Sequence, residues 1–495
     1  MLVASLLAVI AFGYTNAKVI TRQQEPFEAC VVNAVDGKTE QYALPSGVNY
    51  TTSLNVYNLD HIYIPSAVAY PTSAEQVAAL VKCACSAGVA VQALSGGHSF
   101  LNFGLGGQNG SLSIRLGFIN DIFYDVSAET MSFGTGNLLS TLTKELEANE
   151  RTAAYSSIGS IGTGGHFAIG GLGPLSRLHG LAADQIVEAE VVLADGSIVT
   201  ASESVNEDIF FAIRGAAWSF GIVTSITIRT QPIVPSIPYS YVVPGNSSTL
   251  AAVLSAWQSL VTQKQLPREF SSTAYIYEGF AVLIGTYFGS QVDFSKVGLD
   301  SITAHAIPTR TVLDVLDQAN ITASGAKPSS IFSTLFTSHT PAHFYAKSLK
   351  FTQDTLPSPP VLTEIVDYAL GNATDPGTPL WFILFDLAGG KINDVPSNAT
   401  SYFHRDALLW LQSYTVNLVG DGGVSARQKG FLNGLNKKIR ELVPGVDDAA
   451  YPGYVDDGLE DFATSYWGGN VERLRGIKAR YDFENVFRNG QSIRV

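Results

Sequence analysis

The sequence predicts an α+β chain, and three observations carry that expectation. Alternating runs at Glu188–Leu193 and Ser197–Ala201 flank Asp195-Gly196, a strong hairpin signal that puts antiparallel strands among helical windows rather than in a doubly wound sheet. The 495 residues are 46% apolar and 15% charged, enough for a large core and too apolar for general disorder. Three prolines from Pro232 to Pro238 mark a boundary between two parts.

Each element has local reasons. Leu2–Tyr14 is apolar and is followed by Thr15-Asn16-Ala17, which reads as a secretory leader over residues 1–17, too short to span a bilayer. A buried N-terminal strand is the competing reading. Ile62–Ile64 and Ala67–Tyr70 read as strands punctuated by Pro65 and Pro71. Ser73 opens a helix with Gln76 at the capping-box position, and Val77, Leu80, Val81, Cys83 and Ala84 carry it to Gly88. Val89–Leu94 is a strand that ends abruptly in Ser95-Gly96-Gly97-His98-Ser99. Short strands fill Ser111–Gly136, then come a helix over Leu138–Asn149 and a strand over Phe220–Arg229. Past the prolines, helix and strand candidates alternate over Leu250–Lys264, Ala274–Tyr287 and Leu313–Asn320. Trp381–Leu387 is a strongly apolar strand, Ser401–Val416 alternates, and Tyr466–Arg480 is a helix.

Composition excludes several classes. Lysine and arginine number 30 against 43 acidic residues, a net charge of −13. Such a chain is a poor partner for nucleic acid or an anionic membrane surface, which need basic clusters. Three cysteines permit one disulfide, from Cys30 to Cys83 or Cys85, and cannot alone make a tetrahedral zinc site. His339 and His343 have a metal-like spacing, but Pro341 breaks the helix that would align them, so no metal is expected. Sequons at Asn49, Asn109, Asn246, Asn320, Asn372 and Asn398 suit an exported glycoprotein.

Two glycine-rich segments carry the chemistry. A strand running into Ser95-Gly96-Gly97 exposes consecutive amides with no side chain in the way, a concavity suited to phosphate, and His98 stands beside it. It lacks the lysine of a Walker loop. Gly159, Gly162, Gly164, Gly165, Gly170, Gly171 and Gly173 fall within fifteen residues, where a flat object or another backbone can approach closely. A diphosphate joined to an aromatic ring system is the natural ligand of both.

From about Tyr57 to its end, the chain resembles the FAD-linked oxidoreductases of the vanillyl-alcohol-oxidase superfamily. It is most similar to the berberine-bridge-enzyme-like branch that holds the fungal glucooligosaccharide oxidases. The matching segments are VQALSGGHSF, IGTGGHFAIGGLG, HGLAADQIVEAEVVLADGSIV, NEDIFFAIRGAAWSFGIVT, HFYAKSL, FDLAGGKIN, FHRDALLWLQSY and YPGYVDDGLEDFATSYWGGNVERLRGIKARYDFENVF, in order and at matching spacing. The resemblance implies a two-lobed FAD-binding fold. Residues 18–231 and a returning segment, 449–495, would hold FAD, and residues 232–448 would form a substrate lobe, an antiparallel sheet backed by helices. It also implies a secreted monomer that oxidises a small molecule or carbohydrate and is reoxidised by dioxygen or another acceptor.

Roles follow by position. His98 matches the histidine bonded to the flavin 8α-methyl group, and Leu94 stands where arginine is usual. Ser95, Gly96, Gly97, Ser99, Gly162, Gly165, His166 and Ile222 fall at cofactor-binding positions. Many relatives carry a second tether, a cysteine eight residues before His166; here that position is Ile158, so FAD would be singly covalent. Ile161 matches a position that tunes oxygen access. Asn470 would bond near the pyrimidine edge, with Arg473 and Lys478 as solvated helix charges. Tyr454 of Tyr451-Pro452-Gly453-Tyr454 matches the base of a Tyr-x-Asn-Tyr motif, and Asp386 the carboxylate bonded to it. A phenol has a pKa near 10, so the base needs activation by its surroundings. Gln412 matches a sugar-binding glutamine, Tyr451 lies on the substrate side, and Leu384 replaces a second glutamine. Tyr345, Trp381, Trp410 and Tyr414 are the aromatic candidates for stacking on a sugar. The reaction implied is loss of the anomeric hydroxyl proton to Tyr454 and of the C1 hydride to flavin N5, giving a lactone. The alternative is a secondary-metabolite alcohol or alkaloid, which Leu384 permits.

Overall fold

The computed structural model describes residues 26–54, 56–303, 310–313, 340–371, 375–417 and 422–495. The leader, Asn320, Asn372, His339 and most of Leu313–Asn320 lie outside the described residues.

In the first lobe, β1 (Tyr42–Ala43), β2 (Ala67–Ala69), β3 (Val91–Leu94) and β4 (Leu112–Arg115) order as β1-β2-β4-β3. The pairs β2–β4 and β4–β3 are parallel, as the helical crossover α1 (Ala74–Ala87) between β2 and β3 requires. Ser73 Oγ accepts the Gln76 amide at the start of α1, and Gly88 stops it at φ 66°. The capping box is only half made, because Gln76 Oε1 accepts from the Thr72 amide and hydroxyl instead. Cys30 is bonded to Cys83, and Cys85 is the free thiol. Ile62 and Ile64, expected in a strand, are more than half exposed and outside any sheet.

A second sheet, wholly antiparallel, orders β5 (Ile122–Asp125), β6 (Thr130–Gly134), β8 (Ile186–Val192), β9 (Ile198–Ser202) and β10 (Ile222–Arg229) as β5-β6-β10-β8-β9. The expected hairpin is β8–β9: Asp195 Oδ1 accepts the Ser197 amide at 2.8 Å, and Gly196 takes φ 74°. Helices α2 (Leu139–Ala148), α3 (Thr163–Ala168) and α4 (Ser176–His179) lie between β6 and β8, and the short strands β7 (Arg151–Thr152) and β11 (Gln231–Pro232) pair at the exit.

The second lobe is one antiparallel sheet of β12 (Ser236–Pro244), β13 (Phe270–Tyr277), β14 (Phe280–Phe288), β15 (Arg310–Leu313), β16 (His343–Phe351), β17 (Trp381–Leu387) and β18 (Leu409–Asn417), ordered β15-β12-β14-β13-β17-β18-β16. The candidate Ala274–Tyr287 resolves into the hairpin β13–β14, turning at Gly279 with φ 80°. Ser401–Val416 is a strand only from Leu409. Period-two alternation divides the faces. Trp381, Ile383, Phe385 and Leu387 pack with α5 (Ser247–Val261), α6 (Pro359–Leu370) and α7 (Ala426–Leu442), while Phe382, Leu384 and Asp386 face the other way. Among the described residues no helix is long and apolar enough to cross a membrane.

The chain then returns to the first lobe. Helices α8 (Phe462–Trp467) and α9 (Val471–Tyr481) bury Tyr466, Trp467, Val471, Leu474 and Ile477 against the second sheet. Lys478, expected in solvent, is instead fully buried: its Nζ donates to Asp482 and to the Ser219 and Phe487 carbonyls at 2.6–2.8 Å. Helical spacing places it on the same face as Leu474 and Ile477. Lys478→Met strands the Asp482 charge and should cost ~3–5 kcal/mol, read from the urea unfolding midpoint. Arg473 keeps nearly half its surface and lies over the Phe211 ring.

Candidate active site

The second-lobe sheet and the returning segment meet at one carboxylate. Tyr454 donates to Asp386 Oδ2 at 2.9 Å, and Thr273 of the neighbouring strand donates to Oδ1 at 2.8 Å. Burial raises the Asp386 pKa above the ordinary carboxylate value, although both hydrogen bonds pull it down. Burial and the Asp386 charge together hold Tyr454 well above 10. The expected activation therefore does not come from a lowered phenol pKa. Tyr454 rests as a neutral phenol whose proton already points at an acceptor.

Tyr451 sets the phenol in place. Its ring packs edge-on against Tyr454 at 4.8 Å, and its hydroxyl accepts the Gly171 and Leu172 amides at 3.0 and 3.1 Å. Those bonds anchor it on the glycine-rich loop. Gly453, where the motif has asparagine, lets the turn close: a Cβ there would lie 2.3 Å from the Tyr451 ring.

The sheet face around the pair is largely aromatic. Tyr57, Phe344, Phe382, Leu384 and Tyr414 form one apolar cluster with Phe100, Tyr275 and Tyr277. Phe100 lies parallel to the Tyr454 ring at 6.2 Å. Gln412 is on this face, but its amide donates to the Tyr414 hydroxyl at 2.8 Å. Of the four stacking candidates only Tyr414 lies in this cluster. Tyr345 and Trp381 are on the helix side, and Trp410 is buried behind Tyr451.

The two glycine-rich segments meet backbone to backbone. A Cβ on Gly96 would lie 2.2 Å from the Gly162 amide, and one on Gly162 would lie 2.0 Å from the Gly96 amide. Ser95 Oγ ties them, donating to the Thr135 carbonyl and accepting from Gly164. Gly97 takes φ 74°, and the Ser95, Gly96 and Gly97 amides donate to no described residue, which leaves donors free for a ligand. Gly165 faces open space. This cradle fits the diphosphate of FAD, with half-exposed His98 on its rim and the Tyr57 ring 4.8 Å away. Ile158 and Ile161, both half-buried, border it.

The other candidate residues have these neighbours in the fold. Ser99 Oγ accepts the Phe103 amide. Leu94 turns its side chain against Gly104, and Arg115, its register neighbour on β4, donates to the Ser53 carbonyl. Buried His166 accepts the Ser156 amide, and desolvation lowers its pKa to about 3. Ile222 packs into the core beside α1. Asn470 donates to the Ser397, Thr400 and Ser401 carbonyls, which commits its amide nitrogen to that loop. Thr273, Tyr57 and Phe100 were missed by sequence reasoning. Phe100 lies two residues after His98, the one signal that could have found it.

The FAD binding domain family matches residues 65–202, and the berberine and berberine-like family matches residues 450–494. The chain is 36% identical to the FAD-linked oxidoreductase sorD of Penicillium rubens, over 94% of this chain and 98% of that one. It is 33% identical to the glucooligosaccharide oxidase of Sarocladium strictum, over 88% and 89%. A solved glucooligosaccharide oxidase from Acremonium strictum, with a 6-S-cysteinyl, 8α-N1-histidyl FAD, matches at TM-score 0.83 and 28% identity, covering 95% of this chain and 99% of that one. The chain therefore belongs to the berberine-bridge-enzyme-like FAD-linked oxidoreductases, enzymes that use FAD to oxidise CH–OH groups.

Proposed function

We propose that this enzyme oxidises the anomeric hydroxyl of a mono- or oligosaccharide to a lactone, with Tyr454 and Asp386 as the proton acceptor. The 2.9 Å hydrogen bond between them carries the reading. As the substrate hydroxyl gives its proton to the Tyr454 oxygen, the phenolic proton passes to Asp386. A carboxylate whose pKa is raised by burial is a better resting place for that proton than one in water. The electron pair left on the hydroxyl oxygen then forms the carbonyl as the C1–H bond breaks with its electron pair. When bound, FAD supplies the hydride acceptor at N5 and passes the electrons to dioxygen or another acceptor. The carbohydrate oxidases among the relatives support a sugar substrate. Leu384, packed with Phe382 and Tyr414, favours a second reading, a less polar alcohol. A panel of mono- and oligosaccharides with aromatic alcohols, read by oxygen uptake and by dye reduction, tests both. No turnover of any sugar would overturn the first.

His98 is the proposed tether, and the only one, because Ile158 offers no nucleophile. His98→Ala should remove flavin fluorescence from the denatured protein band. A fluorescent band in that variant would move the bond elsewhere. The leader and the exposed Asn49, Asn109, Asn246 and Asn398 support an exported glycoprotein.

A further inference from the structure

Arg177 is a buried cation that the chemistry above does not use. It belongs to α4 in the first lobe and keeps only 5% of its surface exposed. No carboxylate forms an ion pair with it among the described residues. Its Nε donates to the Phe270 carbonyl at 2.8 Å, one terminal nitrogen to the Ala388 carbonyl at 2.5 Å, and the other to the Pro267 carbonyl at 3.4 Å. Burial, and after it the nearby Arg268 charge, lower its pKa to about 10, and Glu269 offsets them only in part. Keeping an unpaired guanidinium inside a protein is costly unless its fork of donors is needed for position.

What the fork holds is informative. Phe270 starts β13, three residues before Thr273; Ala388 follows β17, two residues after Asp386. Thr273 and Asp386 are register partners. The guanidinium therefore clamps the strand ends that carry the proton acceptor and its hydrogen-bond donor. Gly389 and Gly390, at φ 79° and 62°, wrap the chain around it, and a Cβ on Gly390 would lie 2.5 Å from the Arg177 carbonyl oxygen. The same first-lobe turn holds the other half of the pair, because the Gly171 and Leu172 amides fix Tyr451, which packs on Tyr454. Residues 171–177 thus grip Asp386 from one side and Tyr454 from the other.

We propose that Arg177 is a positioning residue that sets the Tyr454–Asp386 hydrogen bond from the first lobe. The inference rests on the proton-acceptor reading above. Lysine keeps the charge but gathers its donors on one atom, so it cannot reproduce the planar fork that reaches the Phe270 and Ala388 carbonyls from separate nitrogens. Arg177→Lys should lower kcat roughly 10- to 100-fold with KM and the flavin spectrum unchanged. Loosening the Tyr454 bond removes an interaction that pulls the Asp386 pKa down, so the acid limb of kcat should move to higher pH. The same shift should appear without turnover, in the pH titration of the carboxyl stretching band that Asp386→Asn abolishes. Gly390→Ala, which crowds the Arg177 backbone from the end of β17, should shift the band in the same direction if Arg177→Lys does not fold. An unshifted band in whichever variant folds would overturn the proposal, as would wild-type kcat in Arg177→Lys. Full turnover in Tyr454→Phe would instead overturn the acceptor reading itself.

Discussion

Tyr454→Phe should lower kcat by about 10²- to 10⁴-fold, the range for losing a positioned acid–base group, while the protein stays yellow. The phenolic oxygen is the only polar atom the substitution removes. The ring keeps its contacts with Tyr451 at 4.8 Å and Phe100 at 6.2 Å, so the fold has no reason to change. Without that oxygen the substrate hydroxyl loses its route to Asp386, and hydride loss must begin from the neutral alcohol. The loss should fall on the rate of flavin bleaching by substrate in a stopped-flow experiment, with KM little altered. A variant that bleaches at the wild-type rate would remove Tyr454 from the reaction.

Much of this site was legible in the sequence, for identifiable reasons. His98, Tyr454 and Asp386 stand in short motifs whose chemistry and spacing are strict. Glycines at 96 and 162 are demanded by a backbone contact that no other residue allows. What stayed hidden depends on where side chains point after long-range packing. Lys478 looks like any helix charge until the chain end around Asp482–Phe487 folds over it. The backbone bonds of Asn470 and Tyr451 join segments far apart in the chain, which no local pattern announces. Tyr345 and Tyr414 both belong to paired strands, and strand parity alone sends one to the helices and the other to the opposite face. The raised pKa of Tyr454 was the least accessible feature, since it arises from burial and from a carboxylate 68 residues away.

Asp386→Asn should cost as much as the phenol and should also change the shape of the pH profile. In the wild-type enzyme the carboxylate must be ionised to receive the Tyr454 proton. Its folded pKa lies above the ordinary carboxylate value, so kcat should fall as pH drops through that raised value, earlier than an exposed aspartate near 4 would dictate. Asparagine does not titrate, and this acid limb should vanish. The substitution also removes a negative charge and an acceptor that both hold the Tyr454 pKa up. That pKa should therefore come down, but the burial that raises it most remains, so Tyr454 stays a neutral phenol with no carboxylate to take its proton and the rate stays low across the range. Steady-state kcat between about pH 4 and 10 separates the outcomes. A variant that keeps the wild-type acid limb would assign that limb to another group and leave Asp386 only a hydrogen-bonding role.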